Sequence, residues 1–139
     1  MINVALFGFG RIGQMHAQNI NQNKSLKLLY VYEKIDKLSK KAKKLYNCII
    51  ENNYKKIYSD KKVDIIFISS PTNTHIKFIE EGIKYNKTIF CEKPLDLNIQ
   101  KFKTFILTNI MSMHLPYSTK TQKCNIEHKF FCNFIIFII

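Results

Sequence analysis

Residues Ile2-Asn-Val-Ala-Leu-Phe-Gly8-Phe-Gly10-Arg-Ile-Gly13-Gln-Met15 decide the fold. An apolar run from Ile2 to Phe7 stops at a turn carrying Gly8, Gly10 and Gly13, and a helical pattern opens at Arg11. The order is strand, glycine turn, helix. Gly8 allows a tight exit from the strand, Gly10 allows close approach of a pyrophosphate, and Gly13 lets the helix pack closely on the strand. The N–H groups at the helix start, backed by the positive end of its dipole, suit phosphate. A glycine triplet alone could merely turn a strand into a helix. Its place between those two elements is the context that a dinucleotide site requires.

Outward from this stretch the alternation continues. Ile12, Met15, His16, Asn19 and Ile20 recur at helical spacing, so the first helix is expected to reach about Gln22 with that stripe on the sheet. Leu26 to Tyr32 reads as the second strand, closed by Glu33. Glu33 stands about twenty positions past the last glycine, where a carboxylate can accept both ribose hydroxyls of an adenosine. Ile35 to Tyr46 is a lysine-studded amphipathic helix, expected to bury Ile35, Leu38, Ala42 and Leu45. Cys48 to Ile50 is a short third strand, and a short helix with loop fits 52–60. Val63 to Ser69 is almost continuously apolar, as a parallel strand covered on both faces should be, and is placed at the sheet centre.

Ser70-Pro-Thr-Asn-Thr-His75 follows that strand, with Thr72 or Thr74 as the cap of a helix through Ile76, Phe78, Ile79 and Ile83 that Gly82 weakens near its end. Thr88 to Cys91 is a fifth strand closed by Glu92-Lys93-Pro94, and 98–107 looks helical. Strands alternating with helices at this spacing call for an α/β fold, a doubly wound parallel sheet with right-handed crossovers.

At 139 residues with a formal charge of +12, a basic partner surface must be weighed. Yet the lysines are scattered and Arg11 is the sole arginine, so neither bidentate base readout nor interleaved aromatics is offered, and no nucleic-acid partner is expected. Cys48, Cys91, Cys124 and Cys132 form no close pairs, which fits thiols in a reducing, cytoplasmic setting. No basic leader precedes the first strand. The apolar run Phe130 to Ile139 is shorter than the roughly twenty residues that span a bilayer, so no membrane partner is expected. That run is compatible with an extra strand, a sticky tail, or residues foreign to the fold. Cys124, His128 and Cys132, four apart, would share a helix face, but helix signals and a fourth ligand are lacking and no metal site is expected.

Three blocks, Gly8-Phe-Gly-Arg-Ile-Gly-Gln-Met-His-Ala-Gln-Asn19, Ser69-Ser-Pro-Thr-Asn-Thr-His75 and Phe90-Cys-Glu-Lys-Pro-Leu-Asp96, together resemble the N-terminal cofactor domain of the glucose–fructose oxidoreductase, inositol dehydrogenase and MocA family, within it inositol 2-dehydrogenase. The resemblance covers roughly residues 2 to 105. It implies NAD-dependent hydride transfer from a secondary hydroxyl of a cyclic polyol or sugar. The first block, Gly8, Phe9, Gly10, Arg11, Ile12 and Gly13, would hold the pyrophosphate, and Glu33 the adenosine ribose. NAD is expected, with NADP as the alternative because Lys34 adjoins Glu33. Ser70, Pro71, Thr72 and His75 would pass beneath the nicotinamide ribose, although His75 also fits an ordinary first-turn histidine. Glu92 and Lys93 would complete the site. By the same resemblance Lys93 is the catalytic lysine, its ammonium on the substrate hydroxyl, with Pro94 on a cis bond aiming it; a surface ion pair of Glu92 with Lys93 is the plainer reading. His16 reads as a packing or capping residue.

The family's second, sheet-containing domain supplies the general base, an Asp–His pair, and the oligomer interface. Neither His114 nor His128 sits in a matching context. Residues 1–107 therefore read as the dinucleotide-binding Rossmann domain, and 108–139 as an aberrant tail from a truncated or frame-shifted coding sequence. The alternative function is a non-catalytic dinucleotide-binding module or inactive fragment.

Overall fold

The computed structural model describes residues 1–98, residue 100 and the backbone of 136–138. Residues 99 and 101–107 of the expected helix at 98–107, and the Cys124, His128 and Cys132 set, lie outside the described residues.

β1 (Ile2–Phe7), α1 (Arg11–Gln22), β2 (Leu26–Tyr32), α2 (Asp36–Tyr46), β3 (Ile49–Ile50), α3 (Tyr54–Ser59), β4 (Ile65–Ile68), α4 (His75–Lys84) and β5 (Thr88–Cys91) follow one another, and β6 (Ile136–Ile138) joins at the edge. The sheet order is β3-β2-β1-β4-β5-β6, every pairing parallel. The chain runs from β1 outward to β3, then returns to the other side of β1 through β4. Strand order thus reverses between β1 and β4, and the crevice beyond their carboxyl ends is the place where open α/β sheets take ligands.

Alternation along β1 builds a core on each face. Ala5 and Phe7 join Ile66, Ile68, Phe78, Ile79, Ile89 and Cys91 on one side, while Val4 and Leu6 join Ala17, Ile20, Val31 and Ala42 on the other. Phe7 anchors the first core, with ring centroids of Tyr32, Tyr58 and Phe78 at 5.2, 5.3 and 5.0 Å. Tyr58 is buried, which pushes its phenol pKa up, and its hydroxyl donates to the Phe78 carbonyl at 2.6 Å. A buried hydroxyl must keep such a partner.

Both helices on the second face depart from the expected phase. On α1, Gly13, Ala17 and Ile20 are buried, whereas Met15 is 53% exposed and Asn19 is also exposed. On α2, Ser39 and Ala42 are buried, whereas Leu45 is 56% exposed and Ile35, which stands at the N-cap just before the helix, is 58% exposed. Small residues meet the sheet because the helices lie close to it; a Cβ on Gly13 would stand 2.2 Å from the Gly8 carbonyl oxygen. The buried Ser39 hydroxyl donates to the Asp36 carbonyl, so its burial leaves no orphan.

The expected threonine cap is also replaced. A 3-10 turn, Thr72–Thr74, leads into α4, no hydroxyl caps the helix, and Thr74 Oγ1 donates back to the Pro71 carbonyl at 2.7 Å. Gly82 packs rather than merely weakens: a Cβ there would lie 2.5 Å from Ile89 Cδ1, so the glycine lets α4 rest on β5. Among the described residues, no helix is long and apolar enough to cross a membrane.

Candidate functional site

At the end of β1, Gly8 turns with φ +93°, and its N–H donates to the Tyr32 carbonyl at 2.9 Å. A Cβ on Gly8 would come within 2.7 Å of the Ser69 oxygen and the Ser70 backbone. Gly10 differs: a Cβ there meets nothing within 4 Å. Its side-chain position is open space at the N-terminus of α1, where no side chain caps the leading N–H groups. Those groups point outward with the helix dipole behind them, so the open cradle fits a diphosphate.

Around the cradle the backbone is fixed from several directions. Ser69 Oγ donates to the Phe7 and Gly8 carbonyls at 3.3 and 3.1 Å. Gln14 Nε2 donates to the Phe9 carbonyl at 3.2 Å, and Lys41 Nζ donates to Gln14 Oε1. Phe9 is fully buried against Tyr46, whereas Arg11 is exposed and Ile12 half-buried.

Glu33, half-buried at the end of β2, faces the same turn. Its Oε2 accepts from Phe9 N at 2.7 Å and its Oε1 from Ile35 N at 2.8 Å. The carboxylate therefore has one orientation, and each oxygen keeps acceptor capacity for a ribose hydroxyl. Lys34 beside it is exposed.

The loop after β4 is tied to the turn after β5 by His75. This ring is 1% exposed and lies between two carbonyl oxygens, with Nε2 2.8 Å from that of Ser70 and Nδ1 2.9 Å from that of Pro94. Both ring nitrogens thus face main-chain partners. Ser70 Oγ and Thr74 Oγ1 are 2.6 Å apart and close the loop, leaving Pro71 exposed and Thr72 half-buried on its rim.

Glu92 and Lys93 follow β5. Glu92 N donates to the Ile68 carbonyl, Glu92 Oε2 accepts from Lys93 N at 3.2 Å, and the Lys93–Pro94 peptide bond is cis. Lys93 is exposed, and its ammonium bonds no group among the described residues, Glu92 included. Cys91, immediately before, is buried, and desolvation with help from Glu92 pushes its thiol up to about 12, so it stays a protonated packing group.

One participant eluded the sequence. His16 Nε2 meets Glu92 Oε1 at 2.6 Å, linking α1 to the turn after β5. The available signal was spacing: His16 is one turn beyond Gly13, the residue pressed onto the strand, and so it must overhang the sheet.

Gly8 and Gly10 follow β1, Glu33 follows β2, the Pro71 loop follows β4 and Lys93 follows β5, so all stand at the carboxyl ends of parallel strands, the end at which doubly wound proteins bind nucleotides. The family model for the oxidoreductase family with an NAD-binding Rossmann fold matches residues 2–110, and the chain belongs to that family. Among curated proteins it is 34% identical over 103 residues to myo-inositol 2-dehydrogenase of Thermotoga maritima, covering 70% of this chain and 30% of that one. It is 30% identical over 102 residues to inositol 2-dehydrogenase of Rhizobium meliloti, covering 73% and 31%. Among solved structures, scyllo-inositol dehydrogenase of Lactobacillus casei with bound NAD(H) and scyllo-inositol superposes with a TM-score of 0.71 at 27% identity, over 77% of this chain and 32% of that one. The chain spans about a third of the length of the curated relatives it matches.

Proposed function

We propose that this chain is the NAD-binding part of a dehydrogenase that moves hydride from a secondary hydroxyl of a cyclic polyol or sugar to NAD, with Lys93 as the catalytic residue on this chain. The observation carrying the proposal is the exposed ammonium of Lys93, without a partner among the described residues, at the same sheet end as the open Gly10 cradle. An ammonium beside a hydroxyl favours the alkoxide character that develops as hydride leaves the carbon. Bound NAD supplies the hydride acceptor. Gly8 to Gly13 hold its diphosphate, Glu33 its adenosine ribose, and the Ser70–Thr72 rim with Glu92 its nicotinamide ribose; His75 keeps that rim and the Lys93 turn at a fixed separation. NAD is preferred to NADP because the fixed Glu33 carboxylate opposes a 2′-phosphate, although the adjoining Lys34 would favour one. The buried free thiols Cys48 and Cys91 suit the proposed cytoplasmic setting.

A second reading, cofactor binding without catalysis, draws on the histidines. Both described ones are engaged, His16 by Glu92 and His75 by two carbonyls, so neither is offered as a general base. General-base catalysis contributes about a hundred- to ten-thousand-fold in rate.

Fluorescence titration with NADH and assay with NAD and myo-inositol separate the readings. Binding with slow turnover, the general base being expected on the family's second domain, that falls a further roughly hundredfold in Lys93→Ala is the expected result for the first. Binding without turnover favours the second, turnover that survives Lys93→Ala removes the role of the lysine, and absence of binding at millimolar NADH overturns both.

A further inference from the structure

The Lys93 turn and the phosphate cradle are separate in the chain and in the sheet. The cradle leaves β1, the turn leaves β5, and β4 lies between them. His16 crosses that gap. Its ring lies 4.3 Å from the ring of Phe67 on β4, which is stacked on Phe90 of β5 at 5.7 Å and 7°. From this aromatic floor Nε2 reaches Glu92 Oε1 at 2.6 Å, while the other carboxylate oxygen accepts from Lys93 N at 3.2 Å. The residues joined are 76 positions apart. A carboxylate is acceptor only, so the imidazole donates, and the bond is charge-assisted. The side chains are 12% and 19% exposed, sheltered enough to hold one geometry where a solvated pair would not.

We infer that His16 is a positioning residue: through Glu92 it fixes the backbone of the Lys93 turn against the helix that bears the phosphate cradle. Seating of the diphosphate at the start of α1 and placement of Lys93 are then one linked event, since a common rigid connector joins both groups. The inference rests on the proposed reading in one respect, that cradle and lysine serve the same cofactor. The connection from His16 to Lys93 N stands on geometry alone.

The test uses the full chain, with His16→Leu, which keeps apolar contact with Phe67, and His16→Gln, whose amide keeps a donor of similar reach. Without cofactor, the Lys93 amide resonance in a 1H–15N spectrum should shift in His16→Leu and return toward its original position in His16→Gln. With cofactor, NADH affinity should fall about five- to tenfold in His16→Leu while ADP affinity changes less than about twofold, because ADP keeps the adenosine and diphosphate but lacks the nicotinamide nucleoside near Glu92 and Lys93. His16→Gln should recover most of the loss. An unmoved Lys93 amide overturns the inference, as does equal weakening of both ligands, which would place the damage in the cradle, or a His16→Gln as impaired as His16→Leu, which would leave packing as the whole role. If the unaltered chain binds neither ligand, the cofactor reading fails, and the amide shift still decides the link between His16 and the turn.

Discussion

The glycines of the first turn carry two different duties, and substitution separates them. At Gly8 an alanine meets both an unfavourable φ of +93° and backbone atoms at 2.7 Å that cannot step aside. Gly8→Ala should cost on the order of 2–4 kcal/mol, seen as a lower urea midpoint, because positive φ and a rigid clash add. At Gly10 a methyl meets nothing within 4 Å. Gly10→Ala should leave the urea midpoint nearly unchanged and weaken NADH by roughly tenfold or more, since the methyl fills the space that the diphosphate needs. Equal midpoints for the two variants, or full NADH affinity in Gly10→Ala, would contradict this division. The motif's spacing already divides these duties, a tight turn at Gly8 and phosphate approach at Gly10; what it could not show is which atoms lie opposite each Cα and so what each substitution costs.

At the scale of elements, the strands were legible almost to the residue. A parallel strand covered on both faces reads as a short apolar run between turn signals, and Ile2–Phe7, Leu26–Tyr32 and Thr88–Cys91 are such runs. Helix faces were less legible. Apolar periodicity placed Met15, Ile35 and Leu45 inward, yet glycine, alanine and serine take the sheet side because close approach selects volume over hydrophobicity. The sequence also gave no warning of a knot beneath the sheet. Asp60, after α3, accepts from Lys62 N through Oδ1 at 2.9 Å and from the Tyr30 hydroxyl on β2 through Oδ2 at 2.9 Å. The backbone hydrogen bond from Lys62, with the Tyr30 hydroxyl and the charges of Lys62 and Lys87, holds the Asp60 carboxyl below its usual 3.8 despite some desolvation. A depressed carboxylate pKa means that the unfolded chain binds more protons, so stability is present above the unfolded value and is lost as pH falls through the folded one. Asp60→Asn should therefore flatten the decline of the urea midpoint below pH 3.8. An unchanged acid slope in that variant would show that the knot contributes nothing there.

Across the whole molecule, the two ends of the parallel sheet have divided labour. The carboxyl ends carry Gly10, Glu33, the Pro71 rim and Lys93, with polar groups facing outward. The opposite end is closed by Lys87, which is buried just before β5 and donates from Nζ to the Asp60 and Val63 carbonyls at 2.8 and 2.7 Å. Desolvation lowers its pKa, while Asp60 and Asp64 oppose the shift. A lysine was unremarkable in a chain this rich in them; only burial separates Lys87 from the solvated majority. Lys87→Met keeps the length and apolar stem but leaves two carbonyl oxygens without this donor, at about 1–3 kcal/mol. Lys87 directly precedes β5, which pairs with β4 from Ile65↔Thr88 to Ile68↔Cys91, so the loss should appear as a lower urea midpoint. NADH affinity, measured where the variant is fully folded, should change less than about twofold, since among the described residues the cradle is held by Tyr32, Glu33, Gln14 and Ser69 and not by Lys87. The contrast with Gly10→Ala is the sharpest check on this polarity: one substitution should lower stability and spare the cofactor, the other the reverse. A Lys87→Met chain that folds normally but binds NADH poorly would mean that the sheet transmits strain from end to end, and that the site cannot be treated as built only from the residues that line it.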